Sequence, residues 1–530
     1  MGTLCFAPVP RGSWGGDAAM TTRPNRTLLV HPSALMYSEL FLRLEPLGLE
    51  RVATAVRSAG NQVRMIDLQV YRPAEMWRAF EEFKPDVVGF SLNYLANVPE
   101  VIDLAKSLKA RRPECGVFVG GHSVSFIAEH VLEQADGSID AVVRGEGEDV
   151  APALVEALAG GAREGALSEL PGVVTLDGSG GAPQKTHNLD DNLPARDIGG
   201  RRRKYFIGVL DPAASVEFSR GCPWDCSFCS AWTFYGRSYR RVSPEVAAED
   251  VARVKEPGVF LVDDVAFIQP EHGFAIGREI ERRGVRKEYY LETRCDVLVR
   301  NEEVFAYWRR LGLNYMFLGI ESLTDEGLAA FRKRSTTDVN AKALEVARRL
   351  GVTVAINIIA DPDWDEAQFE RVREWAMEVP EIVHLTVQTP YPGTEIWRTE
   401  SRRLITRDYR LFDVAHAVLP TRLPLERFYA ELVKTQSVLA RKHLGVAALA
   451  ETASIAARHL LRGQTNFVKM LWKFQKVYND RIQLEDHWQP VHYRLPEPNP
   501  SPDERVERKD LYVHVPVRLS RNGGDRAAAT

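Results

Sequence analysis

Cysteine is scarce in this chain, six in 530 residues, and that excludes a disulfide-held scaffold, which needs a far denser framework. Long apolar runs are missing too: no stretch of roughly 18 uncharged apolar residues occurs, so no segment reads as a membrane-spanning helix. Neither sign of charge dominates. Lys plus Arg (68) nearly balances Asp plus Glu (72), for a net charge of −4, which argues against nucleic acid as a partner and leaves room only for local basic patches. The N-terminus lacks the basic-then-apolar pattern of a secretory signal, and residues 1–25 read as a loose extension. No GxGxxG follows the first strand candidate, so a dinucleotide site is weakly supported.

What is present is ordinary globular material, 45% hydrophobic and 26% charged, long enough for about three domains. From Thr27, short apolar runs alternate with amphipathic stretches. Strands are expected at Thr27–His31, Val63–Leu68, Asp86–Leu92, Gly116–Gly120 and Ala141–Arg144, with helices at Leu49–Ser58, Ala74–Phe83, Val98–Arg111, Val124–Gln134 and Val150–Leu158. This alternation predicts a doubly wound, Rossmann-like α/β domain of five parallel strands over residues 26–165. Ligands of such folds sit outside the carboxyl ends of the strands. Those ends carry Ser91, Asn93, Tyr94 and Asn97, then Gly120, Gly121 and His122, then Gly145 and Glu146. Glycines let a ligand approach the backbone, and the hydroxyls and amides can hydrogen-bond a large polar cofactor. The same residues also suit the turns of any βα loop.

Residues 166–204 read as a linker, ending in Arg201-Arg202-Arg203-Lys204, a charge run of the kind that usually faces solvent. A second series over 205–396 has strand candidates Val216–Ser219, Val259–Val262, Tyr289–Glu292, Tyr315–Gly319, Val352–Ile359 and Val383–Gln388, separated by helical stretches. Six βα units make a partial (β/α)6 barrel, whose functional residues belong at the strands' carboxyl ends. Residues 397–495 read as helical, with helices at Leu425–His443 and Val446–Leu461 and a basic amphipathic one at Asn466–Tyr478. That last helix fits either a membrane surface or a solvated lysine face on the barrel. The proline-rich tail, 496–530, is expected to be partly extended.

Three of the six cysteines crowd into one loop, Cys222-Pro223-Trp224-Asp225-Cys226-Ser227-Phe228-Cys229, just after the first barrel strand. Three thiolates at C-x3-C-x2-C spacing can hold three corners of a [4Fe-4S] cluster. With no fourth cysteine nearby, one iron stays open to bind a substrate. Zinc needs a fourth ligand, usually from a second pair, and neither Cys115 nor Cys295 supplies one.

This loop, after the first strand of a six-unit βα barrel, resembles that of radical S-adenosylmethionine (SAM) enzymes. The resemblance implies that Cys222, Cys226 and Cys229 hold the cluster and that SAM chelates the open iron. Other residues implied in SAM binding are Phe228, Asp263 and Asp264 after the second strand, Arg294 at the third, Glu321 and Ser322 at the fourth, and Gln388 at the sixth. Arg294 and Glu321, taken singly, are as readily barrel-mouth salt bridges. The α/β domain ahead of the barrel is similar to the corrinoid domain of the cobalamin-dependent branch, which makes the strand-end residues above a cobalamin site. The Asp-x-His-x-x-Gly motif that gives cobalt a histidine ligand is absent, so no lower ligand is assigned, and His122 is not proposed as one.

Leu28–Leu49, the run Ala231–Arg240 and the segment Arg462–Phe467 resemble hopanoid C-3 methylases over nearly the whole chain. That resemblance implies methylation of a triterpenoid lipid at ring-A C-3, using a 5′-deoxyadenosyl radical and methylcobalamin. It further implies an external electron donor of flavodoxin or ferredoxin type. The expected location is cytoplasmic, with a peripheral contact at the inner face of the membrane. The alternatives are another reaction of the same branch, such as porphyrin cyclisation or methylation of a different lipid or natural product, and an iron-sulfur electron carrier, which the missing fourth cysteine disfavours.

Overall fold

The computed structural model of the chain describes residues 23–35, 41–162, 164–442, 446–469, 479–497 and 512–514. Its first sheet contains β1 (Arg26–His31), β2 (Gln62–Asp67), β3 (Val87–Ser91), β4 (Gly116–Gly120), β5 (Ala141–Val143), β6 (Val173–Thr175) and β7 (Gly178–Ser179). The order is β2-β1-β3-β4-β5-β6-β7. The first five are parallel, and β6 and β7 add antiparallel edges. The sheet therefore has seven strands rather than five, and two of them lie inside the segment expected to be linker. Both faces are covered: Leu28 and Val30 pack into one core and Leu29 into another. That explains the unbroken apolar text of these strands. The helix expected over Val124–Gln134 is broken into a 3-10 turn, Val124–Phe126, and an α-helix, Ala128–Ala135.

The second sheet runs in chain order, all parallel: β8 (Ala213–Val216), β9 (Gly258–Leu261), β10 (Glu288–Arg294), β11 (Leu313–Glu321), β12 (Thr353–Ala360) and β13 (Ile382–Val387). Val259, Leu261, Leu291, Met316, Leu318, Ile356 and Ile358 face the covering helices in one large core. Alternate positions, Phe260, Tyr290 and Tyr315, turn inward with Leu42, Leu44 and Leu210. β8 ends earlier than expected. Ser219–Arg220 leaves the sheet and pairs antiparallel with Arg240–Arg241, clasping the cysteine loop between them.

In the basic run Arg201, Arg203 and Lys204 are exposed, as expected, but Arg202 turns inward. Arg202 is largely buried and pairs with Glu45, Glu50 and Glu256, while Arg196 pairs with Glu45 and Asp250. These ions tie the first domain's helix Leu47–Ser58 to the barrel helix Pro244–Arg253. Burial, helped by Glu45, pushes the Glu50 carboxyl up to about 8.

Helix Leu425–Arg441 packs beside the barrel, where Gln436 Nε2 donates to the Leu385 carbonyl of β13 at 2.6 Å. Residues 470–478 of the expected basic amphipathic helix lie outside the described residues, as does most of the tail. Tyr512–His514 is described and is not an exposed extension: Val513 is 4% and His514 0% exposed. Among the described residues no helix is long and apolar enough to cross a membrane.

Candidate functional site between the two domains

The cysteine loop is built by its neighbours. Gly221 has φ +98°, and a side chain there would strike the Ser238 carbonyl, so glycine is required for the turn into Cys222. Asp264 accepts from Gly221 N at 2.8 Å. Asp263 accepts from Phe218 N at 2.8 Å and from the Ser219 hydroxyl. Both carboxylates expected at SAM therefore hold the backbone leading into the cysteines. Arg237 Nε donates to the Pro223 carbonyl at 3.0 Å, Arg334 pairs with buried Asp225 at 2.9 Å, and the Trp232 indole donates to the Cys226 carbonyl at 2.9 Å.

Arg294 stacks over Trp224 at 4.4 Å, donates to the Lys333 carbonyl at 2.6 Å and approaches Cys226 Sγ at 3.7 Å. Glu321 has a left-handed backbone, φ +65°, and pairs with buried Lys333 at 2.7 Å. A side chain at Gly319 would overlap both partners. Phe228 lies edge-on to Phe331 with Lys333 Nζ 6.0 Å from its ring. Ser322 serves a turn, its hydroxyl accepting from Thr324 N at 3.2 Å. Gln388 continues from β13, its backbone N–H donating to the Ala360 carbonyl at 2.9 Å. Sequence reasoning missed Lys333, twelve residues from its partner, and gave no role to Glu292 at the end of the third strand. Burial, with Asp264 and Glu321 as like-charged neighbours, pushes the Glu292 carboxyl up to about 7.

The donor set fits an iron-sulfur cluster. Burial raises the Cys222 thiol and pushes Cys229 up to about 12, so these sulfurs become thiolates only when a cation compensates them. Among the described residues no three His, Cys, Asp or Glu side chains converge as a single zinc requires. A cubane instead takes each thiolate on a different iron.

Across the interface, a cavity of about 270 Å³ is walled by Ser91, Asn93, Gly120, Gly121, His122, Gly145 and Glu146 from the first domain and by Glu217, Arg220, Phe234 and Tyr235 from the barrel. Gly120 has nothing within 3.6 Å of an added Cβ, so its bare backbone widens the space. Asn93 Oδ1 accepts from His122 N at 3.1 Å, which fixes the loop, and Gly121, φ +128°, leaves room for Asn93. A glycine-floored cavity at the strand ends, with largely apolar walls and a few hydrogen-bonding groups, suits a corrinoid. Two of the expected residues are not among those that wall this cavity. Tyr94 is 48% exposed and does not line the cavity. Buried Asn97 donates to the Ser33 carbonyl at 3.0 Å and to Glu100 at 3.3 Å, joining the ends of β1 and β3.

His122 is engaged with the barrel: Nε2 meets Ser230 Oγ at 2.7 Å and the ring stacks on Phe234 at 4.6 Å. Burial holds it down at about 4, so it is neutral. Glu146 pairs with Arg240 and with Arg220 (3.4 Å). Burial opposes its ionisation, but the two guanidinium groups outweigh burial and hold it at about 2. Arg220 also meets Glu148 at 2.9 Å and Glu217 at 2.8 Å, and Arg51 meets Glu217 at 3.2 Å. One buried network thus joins the corrinoid-side loop to the residue two places before Cys222.

Residues 36–155 match the B12 binding domain family and residues 216–376 the radical SAM superfamily. The hopanoid C-3 methylase of Methylococcus capsulatus is 61% identical over 489 residues, 92% of this chain and 94% of that protein. Two solved structures share the fold. The cobalamin-dependent S-adenosylmethionine radical enzyme OxsB, with aqua-cobalamin and SAM bound, aligns at TM-score 0.61 and 15% identity, covering 87% of this chain and 80% of that one. The radical SAM methyltransferase TsrM from Kitasatospora setae, with cobalamin and [4Fe-4S] cluster bound, aligns at TM-score 0.58 and 15% identity, covering 75% and 82%. With a corrinoid-type domain, a three-cysteine barrel and that degree of identity, the chain belongs to the hopanoid C-3 methylase family of cobalamin-dependent radical SAM methyltransferases.

Proposed function

We propose that this enzyme methylates a hopanoid at ring-A C-3. The observation that carries the reading is the 61% identity to the Methylococcus capsulatus hopanoid C-3 methylase, which runs through both cofactor domains and into the C-terminal region. When bound, the cluster with SAM supplies a 5′-deoxyadenosyl radical and the corrinoid supplies the methyl group, which an unactivated carbon requires. Cys222, Cys226 and Cys229 hold the cluster, and Asp263, Asp264, Arg237 and Arg334 keep their loop in shape. Arg294, Glu321, Glu292 and Phe228 line the SAM side, with Ser322 and Gln388 at its margin. Ser91, Asn93, Gly120, Gly121, His122, Gly145 and Glu146 form the corrinoid side.

The inner face of the barrel is apolar and aromatic, in keeping with an apolar substrate. Phe260, Tyr290 and Tyr315 stack inward, with Tyr290 and Tyr315 6.4 Å apart, and His384 lies between Phe41 and Phe317. Such walls exclude water, whose hydrogen-bonding groups and protons are unwelcome near reactive carbon. The domain boundaries proposed are 26–165, 205–396 and 397–495. The enzyme works in the cytoplasm and draws substrate from the inner face of the membrane, a contact in which Asn466 and Phe467, buried against Asp211, take no part. Its electron comes from a flavodoxin- or ferredoxin-type protein. Expression in a hopanoid-producing host that lacks 3-methylhopanoids should add them to the lipid mass spectrum. If they do not appear, the substrate assignment is wrong even if SAM is still cleaved.

A further inference from the structure

Tyr512–His514 threads between the two cofactor loops. Val513 N donates to the Thr233 carbonyl at 2.9 Å, in the short helix Ala231–Phe234 that follows Cys229. Tyr512 lies edge-on to Trp232 at 5.9 Å, the same indole that holds the Cys226 carbonyl. His514 lies edge-on to Phe234 at 5.6 Å, and its Nδ1 is 3.4 Å from the Pro183 carbonyl. Its ring edge fills the space a side chain at Gly145 would occupy, since an added Cβ would sit 2.4 Å from Cε1 and 2.7 Å from Nε2. Gly236, from the barrel side, makes room as well: its Cβ would sit 3.0 Å from the His514 carbonyl oxygen. Two glycines from two domains thus accommodate one histidine of the tail.

The arrangement is costly in itself. His514 is 0% exposed, and among the described residues neither its Nε2 nor the nearby buried Lys185 Nζ has a hydrogen-bond partner. Buried polar atoms left unsatisfied are destabilising and persist where the surrounding structure compensates for them. Burial pushes the His514 ring down to about 4, so it sits beside Glu146 as a neutral wedge and not as a salt-bridge partner. A tail that only needed to be tethered would find cheaper anchors on the surface.

We infer that Tyr512–His514 is a positioning element, a wedge that sets the corrinoid-side loop Gly145–Glu148 against the cluster-side helix Ala231–Phe234. Removing it leaves the cysteine loop and its ligands intact but lets the two loops separate, so corrinoid is held less firmly and radical formation loses its coupling to methyl transfer.

The test compares the full chain, reconstituted with cluster and cobalamin, with a chain ending at Glu497 and with two single variants, His514→Ala and Val513→Pro. Corrinoid dissociation is followed by its visible absorbance, cluster content by iron analysis, and fold by thermal melting. The expected result is dissociation about tenfold faster in all three, with iron content unchanged and 5′-deoxyadenosine formed in excess over methylated product. His514→Gln, which keeps a planar polar side chain, should recover part of the retention. Corrinoid dissociation equal to that of the full chain in all variants would overturn the inference. Dissociation needs no lipid, so this outcome is independent of the substrate assignment.

Discussion

Cys226 is the most buried of the three cluster cysteines at 7% exposure, with Arg294 against its sulfur. Replacing it by alanine leaves two thiols, too few to seat a cubane. Cys226→Ala should therefore lose the broad iron-sulfur absorbance and form no 5′-deoxyadenosine under reducing, anaerobic conditions; a variant that still cleaved SAM would contradict the cluster assignment. The pair Glu321–Lys333 is a second residue-scale test. Both side chains are buried beneath the SAM side, and Lys333→Met keeps the length but leaves the carboxylate alone. Breaking a buried pair from one side costs about 3–5 kcal/mol, measurable by denaturant unfolding of the cluster-free protein. A loss below about 1 kcal/mol would show that the pair is not what fixes the strained backbone at Glu321.

Among the elements, the C-terminal helix Asp480–Asp486 has a titratable anchor. His416 sits between Asp413 (3.0 Å) and Asp486 (3.4 Å). Burial works against its charge, but hydrogen bonds to both carboxylates prevail and raise it from 6.5 to about 9. Because the folded value lies above the unfolded one, the stabilisation is complete below pH 6.5 and is lost as pH rises through 9. Amides of Asp480–Asp486 should exchange faster with solvent, relative to their intrinsic rates, at pH 9 than at pH 6.5. His416→Gln should remove most of that difference, and an equal pH effect in the variant would rule out this histidine. The long elements were legible in the text. Gly116–Gly120 and Val98–Arg111 lie where their apolar spacing places them, and the other parallel strands differ from expectation by a few residues at most. The edge strands Val173–Thr175 and Gly178–Ser179 were not legible, since two or three residues carry no periodicity. The site divided in the same way. The cysteines and the glycine-rich strand ends announce themselves locally. Lys333 beneath Glu321, Arg220 among three carboxylates and His514 against Gly145 depend on contacts that only the folded chain creates. Asp263 and Asp264 were expected at SAM, and their hydrogen bonds to the cysteine loop could not be read from their position alone.

In the molecule as a whole, the two cofactor domains are joined by buried ion pairs and by an apolar cluster that brings Tyr409, Leu411, Phe412 and Val418 onto the first domain. Arg220 alone faces Glu146, Glu148 and Glu217. Arg220→Met would leave buried Glu148 without a guanidinium and take one from each of Glu146 and Glu217, costing about 3–5 kcal/mol, and should split a cooperative unfolding transition into two. A single transition at the original midpoint would mean the domains are held elsewhere. Near-balanced charge overall suits a partner without phosphates, and the aromatic lumen suits a hydrocarbon skeleton. The central claim is tested most directly by anaerobic incubation of the reconstituted enzyme with a hopanoid, a low-potential reductant and SAM labelled in its methyl group. The account predicts 5′-deoxyadenosine together with a hopanoid carrying the labelled methyl at C-3. Formation of 5′-deoxyadenosine with no label in the lipid, or label at another carbon, would contradict it.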